Sequence, residues 1–185
     1  MYGYRGPGPV SESTGVSFGV ELWPPNDSNP GWGGRSKTLT GMRLRAALDT
    51  IVNLDPRFEW REMNGVIVIR PIVAWVDSTH QLAQPFDGFF GNTNTEEAIT
   101  ILAARMGPER TLPYPYRDSK PLLLEVPPGT VMDFVNGIAR AAHGGMMWRF
   151  NRVWCCGTPR YQGPAGEQYE LGISSGTTGT SFWVK

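Results

Sequence analysis

Apolar and small or polar positions alternate from residue 16 to 23, with Val16, Phe18, Val20 and Leu22 set against Ser17, Gly19 and Glu21. A period of two predicts a strand with one buried face. Residues 24–34 are dense in Pro, Asn, Asp and Gly and predict a long loop, with a short strand at 37–40. Leu44, Ala47, Leu48 and Ile51 then fall at i, i+3, i+4 and i+7. That stripe predicts a helix over 42–54, stopped by Asp55-Pro56 because the residue before proline disfavours the α region. Alternation returns at 58–61. Asn64-Gly65 is the signature of a tight primed turn, and the Val-Ile-Val-Ile run at 66–69 predicts the return strand of a hairpin.

The second half follows a similar order. A short strand is predicted at 86–90 and a helix over 95–106. Asn94 or Thr95 would cap that helix, Glu96 and Glu97 suit its positive first turn, and Gly107-Pro108 would end it. Residues 112–120 read as a Pro/Tyr loop and 122–126 as a strand. A helix over 131–142 carries Val131, Val135, Ile138 and Ala142 on one side. His143-Gly144-Gly145 breaks it. Residues 146–150 alternate as a strand, Asn151-Arg152 is read as a turn, and 153–156 as the return strand. Tyr169, Leu171 and Ile173 alternate again, as do residues 181–184.

The two halves are related by pattern. Gly41 and Trp60 stand the same distance apart as Gly129 and Trp148, and the segments between them align without a gap. Both read strand, Gly, helix, aromatic strand, turn, strand, which is the mark of a repeated supersecondary unit. The motifs are Thr38-Leu39-Thr40-Gly41, Ala47-Leu48-Asp49, Phe58-Glu59-Trp60-Arg61 and residues 65–71, GVIVIRP. This first stretch, about 16–71, resembles the short domain found at the N-termini of secretins and TonB-dependent receptors. Residues 86–156 resemble the fuller version, strand–helix–strand–helix–strand–strand, with Glu97-Ala98 on its first helix. The first copy departs from the family by a Pro/Gly loop where its first helix would stand. The second departs by ending in Val153-Trp154-Cys155-Cys156 in place of the Gly-led Arg-Pro strand. No barrel or pore segment follows, so the resemblance implies a stand-alone relative of these domains. It implies contacts with envelope proteins and no chemistry.

The expected fold class is therefore α+β: two strand–helix–strand–strand repeats, in small mixed sheets or one fused sheet, covered by about three helices. The expected division is a lead-in at 1–15, a first unit at 16–80, a second at 81–160 and a tail with short strands at 161–185. Gly and Pro number 23 and 16 among 185 residues, about a fifth against a usual value of about 12%. Since no triplet period appears, the excess points to long connections. Lys and Arg balance Asp and Glu at 17 each, which argues against a nucleic-acid partner held by phosphate neutralisation. Arg43, Arg45, Arg57 and Arg61 are interleaved with Asp49, Asp55, Glu59 and Glu62, a mixed solvated face. No segment approaches the ~18 apolar residues of a membrane span. Residues 1–10 contain no apolar leader core. The expected location is the periplasm or cell envelope if a signal peptide precedes this sequence, and the cytoplasm otherwise.

Candidate chemistry is sparse. Asp77, Ser78, Thr79 and His80 invite comparison with a catalytic triad, but four neighbours rarely take that geometry, and a capped turn explains them as well. Two adjacent cysteines, Cys155 and Cys156, and two histidines, His80 and His143, give no zinc spacing. The cysteines are candidates for a redox or intermolecular thiol, or simply for one side chain in and one out. Trp60 and Trp148 are expected in the core. Trp23, Trp32 and Trp75, with Asp77 and His80, are the candidate binding residues, since loop aromatics can stack on sugars or anchor a protein. No cofactor or metal is expected. The favoured reading is a non-catalytic protein-interaction or assembly module with a protein partner or a second copy of itself. The alternative is a small hydrolase or carbohydrate-binding module built on Asp77 and His80 or on the loop tryptophans.

Overall fold

The computed structural model describes residues 15–22, 41–106, 110–111, 120–142, 146–155, 166–175 and 178–184. In chain order the elements are β1 (Ser17–Leu22), α1 (Leu44–Val52), β2 (Phe58–Met63) and β3 (Val66–Pro71). Two 3-10 turns follow, Ile72–Trp75 and Gln81–Ala83. Next come β4 (Pro85–Phe86), β5 (Phe89–Asn94), α2 (Thr95–Met106), β6 (Arg110–Thr111), β7 (Pro121–Val126) and β8 (Gly129–Thr130). The chain closes with α3 (Val131–Ala141), β9 (Met147–Cys155), β10 (Gly166–Ser175) and β11 (Thr178–Val184). The class is α+β.

One seven-stranded mixed sheet dominates, in the order β2-β3-β1-β9-β10-β11-β6, beside two-stranded pairs β4-β8 and β5-β7. β1 is the joint. It runs parallel to β3 on one side, with Phe18 opposite Ile67, and parallel to β9 on the other, with Gly19 opposite Trp148. The expected small sheets are thus fused into one. β10 and β11 are full members of it, longer than the short tail strands expected there.

The sheet is covered on both faces around β3, which explains its uninterrupted apolar run. Val66 and Val68 join the larger core with α2, α3, Trp148, Phe150, Leu171 and Ile173. Ile67 and Ile69 point the other way and pack with Phe18, Phe58 and Leu48 of α1. Each such side chain contributes roughly 1.5–3 kcal/mol by leaving water. α3 is buried nearly all round, from Val131 to Ala139 apart from Asp133, because it lies between this sheet and the β5–β7 pair. Thr130 and Asp133 form a capping box at its start: the Thr130 Oγ1 accepts from Asp133 N at 3.2 Å, and Asp133 Oδ2 accepts from Thr130 N at 2.8 Å.

Three expectations need correction. β9 runs without a break through Asn151-Arg152 and pairs along its length with β10. A two-residue type I′ turn needs positive φ at both positions, and a type II′ turn at the first. Asn64 and Gly65 take φ values of 53° and 80°, whereas Asn151-Arg152 has no glycine to follow suit. The strand expected at 86–90 is two strands, split at Asp87-Gly88, where Gly88 has φ 85° and its backbone abuts Val126 and Pro127. Trp60 is not a core residue. It is half-buried over α1, donates Nε1–H to Asp49 Oδ1 at 2.9 Å and lies under Arg45, whereas its repeat partner Trp148 is fully buried. The strand at 37–40, the stop at Gly107-Pro108 and His143 lie outside the described residues.

Candidate functional site

The strongest polar cluster lies where β1 and β3 end. Glu21 shares the face of Gly19, and Arg70 that of Val66 and Val68, so both side chains enter the layer between the sheet and α3. Arg70 is 2% exposed, as buried as a core leucine. Its Nε and Nη2 both reach Glu21 Oε2 at 2.8 Å, and its Nη1 donates to Met132 Sδ at 3.5 Å. A buried charge of this kind persists only when paired and hydrogen-bonded.

His80 completes the cluster. Its Nδ1 accepts from Leu82 N at 3.1 Å, capping the Gln81–Ala83 turn, and stands 3.3 Å from Arg70 Nη2. An imidazole nitrogen facing two donors is an acceptor, so the proton sits on Nε2, which donates to Glu21 Oε1 at 2.8 Å. Both ring nitrogens of His80 are therefore engaged. Its ring also packs on Phe150, with centroids 5.3 Å apart. A general base needs a free nitrogen within reach of a substrate proton, and this geometry offers none.

Trp75 borders the cluster. Arg70 lies 4.9 Å and Arg61 4.3 Å from its ring, the distances of cation–π contact. Arg61 also pairs with Glu59 on the exposed side of β2. The Trp75 ring is thus occupied by protein, and its Nε1 has no hydrogen-bond partner among the described residues. Asp77 does not serve His80. Its Oδ1 accepts from Thr79 N at 2.8 Å and from Thr79 Oγ1 at 2.6 Å. Those bonds, the hydroxyl first, hold its carboxyl below the ordinary value of 3.8.

The structure therefore joins Trp75 and His80 to one cluster, leaves Asp77 as the cap of an exposed turn, and adds Glu21 and Arg70, which sequence reasoning missed. A carboxylate does meet His80 within hydrogen-bond reach, but it comes from Glu21, 59 positions away. Glu21 reads as the polar phase of an alternating strand. It would face solvent in a sheet covered on one side only. Trp23, Trp32 and Cys156 lie outside the described residues, and Cys155 ends β9 opposite Gly166. Among the described residues no three His, Cys, Asp or Glu side chains converge as metal ligands. A separate cavity of ≈ 200 Å³ is lined by Gln81, Gln84, Pro85, Arg105, Met106 and Val131.

Among the described residues, exposed large apolar side chains fall in two groups, with Met42 alone ahead of α1. Ile72, Val73 and Val76 project from the connection after β3, Val76 with 84% of its surface in water. Phe90 and Leu123, 68% and 62% exposed, lie on the outer face of the β5–β7 pair. None of the described helices is long and apolar enough to cross a membrane. Comparison with protein-family models, curated proteins and solved structures finds no match for the chain.

Proposed function

We propose that this chain is a non-catalytic protein-interaction or assembly module of the bacterial cell envelope, related to the N-terminal domains of secretins and TonB-dependent receptors. The observation that carries the reading is the exposed apolar set: Ile72, Val73 and Val76 on one connection and Phe90 with Leu123 on one sheet face. Grouped apolar side chains at a surface mark places where another macromolecule docks. From residue 89 to 155 the elements β5, α2, β7, α3 and β9, apart from the two-residue strands β6 and β8, follow the first five elements of the resemblance's order, and the hairpin expected at its end is the single strand β9. The saturated Glu21–Arg70–His80 network favours a structural role for the residues on which a hydrolase would depend.

Fractionation of bacteria carrying the tagged gene at its own locus tests the location, and native size in gentle extracts tests assembly. Release with the envelope or periplasm in a particle larger than the monomer is the expected result. A monomer confined to the cytosol of spheroplasts overturns the reading.

A further inference from the structure

We infer that the outer edge of β5 accepts an extended strand from a partner protein, one whose side chains alternate apolar and basic. This deepens, and rests on, the interaction reading above.

An edge strand presents a row of unpaired N–H and C=O groups, and proteins guard such rows with charge, proline or brevity. The guarded edges are easy to find here. β2, at one end of the large sheet, carries Glu59, Arg61 and Glu62 among six residues. β6, at the other end, is two residues long. β7 contains Pro121 and Glu125. β5 reads Phe-Phe-Gly-Asn-Thr-Asn over six residues, with neither a charge nor a proline. It pairs with β7 on one side, from Phe89 opposite Val126 to Asn94 opposite Pro121, and with no strand on the other among the described residues. A two-stranded sheet is a marginal structure, and a third strand completes it.

The side chains around this edge say what kind of strand fits. On the outer face Phe90 and Leu123 are diagonal neighbours, and Phe90, on β5 itself, is within reach of an apolar residue on an added strand. The charges nearby are mainly acidic. Glu125 lies directly across from Phe90. Glu96 and Glu97 open α2, with Glu97 Oε2 accepting from Thr93 Oγ1 of β5 at 3.1 Å. Asp87 precedes the strand with its side chain 89% exposed, and Arg105 approaches it only to 3.8 Å. A second copy of this chain is the poorer occupant: antiparallel pairing of two β5 strands sets Asp87 and Glu97 of one copy against those of the other. Addition of a basic strand instead takes hydrogen bonds from the backbone edge and charge complementarity from its flank.

The test uses the full chain and three capped synthetic hexapeptides: alternating Lys-Val, alternating Glu-Val, and Lys-Val methylated at every amide nitrogen. Amide exchange is followed residue by residue by NMR. The Lys-Val peptide is expected to slow exchange along β5 about tenfold at roughly ten times its Kd, since protection scales as 1 + [L]/Kd. The methylated peptide should have no effect, and the Glu-Val peptide a far weaker one whose deficit narrows at high salt. Asn92→Lys, on the exposed face of β5, should weaken Lys-Val binding while β7 amides keep their wild-type exchange. Three results overturn the inference: equal response to both charge types, protection at β2 and not β5, or no peptide effect at all. Protection of β5 that rises with protein concentration alone also overturns it, by making a second copy the occupant. Peptide-induced shifts confined to residues 72–76 would sink this inference and leave the interaction reading standing. The fractionation result bears only on that reading.

Discussion

Gly19→Ala is the most incisive test of how the sheet is joined. Gly19 of β1 stands opposite Trp148 of β9 across a parallel pairing. A Cβ at this position would lie closer than 3.0 Å to Cε2, Cζ2 and Nε1 of the indole. The ring has no room to retreat, because it is fully buried and its Nε1 donates to Asn136 Oδ1 of α3 at 2.8 Å. Overpacking of this sort costs about 1–3 kcal/mol. If the indole shifts enough to break its hydrogen bond, the buried Asn136 oxygen loses its partner at a further cost of about 1–3 kcal/mol. Asn136 Nδ2 already has none among the described residues, so the amide would lose its only partner there. Replacing a strand glycine recovers about 0.5–1 kcal/mol. With the hydrogen bond broken the net is a loss of about 1–5 kcal/mol, or a Tm lower by roughly 2–20 °C for a chain of this size. Urea titrations and thermal melts followed by far-UV circular dichroism measure it. Trp148→Phe removes the atoms that the new methyl strikes, so the double variant should be more stable than the two single losses predict, by about 1 kcal/mol or more. A Gly19→Ala protein within about 0.5 kcal/mol of wild type, or strict additivity in the double variant, would refute the packing argued here.

Three further outcomes are expected. Arg70→Met strands the buried Glu21 carboxylate and should cost about 3–5 kcal/mol in urea titrations, part of which Glu21→Gln in the same chain restores; a loss below about 1 kcal/mol would mean that the pair is not buried as described. Asp77 has its folded pKa held below 3.8 by Thr79, so its contribution is complete above that pH and is lost as pH falls through the folded value. The stability gap between wild type and Asp77→Asn should accordingly stay level from pH 8 to 5 and close below about 3.8; a gap unchanged at pH 2 contradicts the assignment. Thr130→Ala should destabilise by about 0.5–2 kcal/mol, and Asp133→Ala should add little to it, because each side chain of the capping box bonds the other's backbone; full additivity would argue against the box.

What the sequence disclosed depends on the range of the interaction behind each feature. The Asn64-Gly65 hairpin was legible because positive φ at two neighbours is a local requirement written in two letters. The helix start at Asn94 was legible for the same reason: Asn94 Oδ1 accepts from Glu97 N at 2.9 Å, three residues on. Asn151-Arg152 misled because polarity suggests a turn, whereas backbone conformation decides one. Trp60 and Trp148 occupy equivalent repeat positions and share a pattern, yet only one meets a second layer. Trp148 is closed over by α3 and Gly19, while Trp60 has the short, one-sided cover of α1. The Glu21–Arg70–His80 cluster was illegible, since its members are 49 and 59 positions apart and each has a sufficient local explanation by itself.

That cluster also fixes the segment on which the exposed aliphatic side chains stand. Residues 72–84 would otherwise be a connection between a hairpin and a second helical layer, with few apolar anchors beyond Ala74 and Leu82. Arg70 holds Glu21, Glu21 accepts from His80, and His80 caps the turn that contains Leu82. Two residues later the Gln84 carbonyl accepts from Val131 N at 2.9 Å, at the first residue of α3. Each link orders the next, so the connection is tied at β3, at β1 and at α3. A buried ion pair does little for net stability compared with well-packed apolar residues. Its directional bonds constrain geometry, however, where apolar packing alone would permit several placements of the connection. Ile72, Val73 and Val76 are therefore displayed on a tied segment, and a partner docking there would not have to order it first, a cost of about 1–2 kcal/mol for each backbone residue fixed.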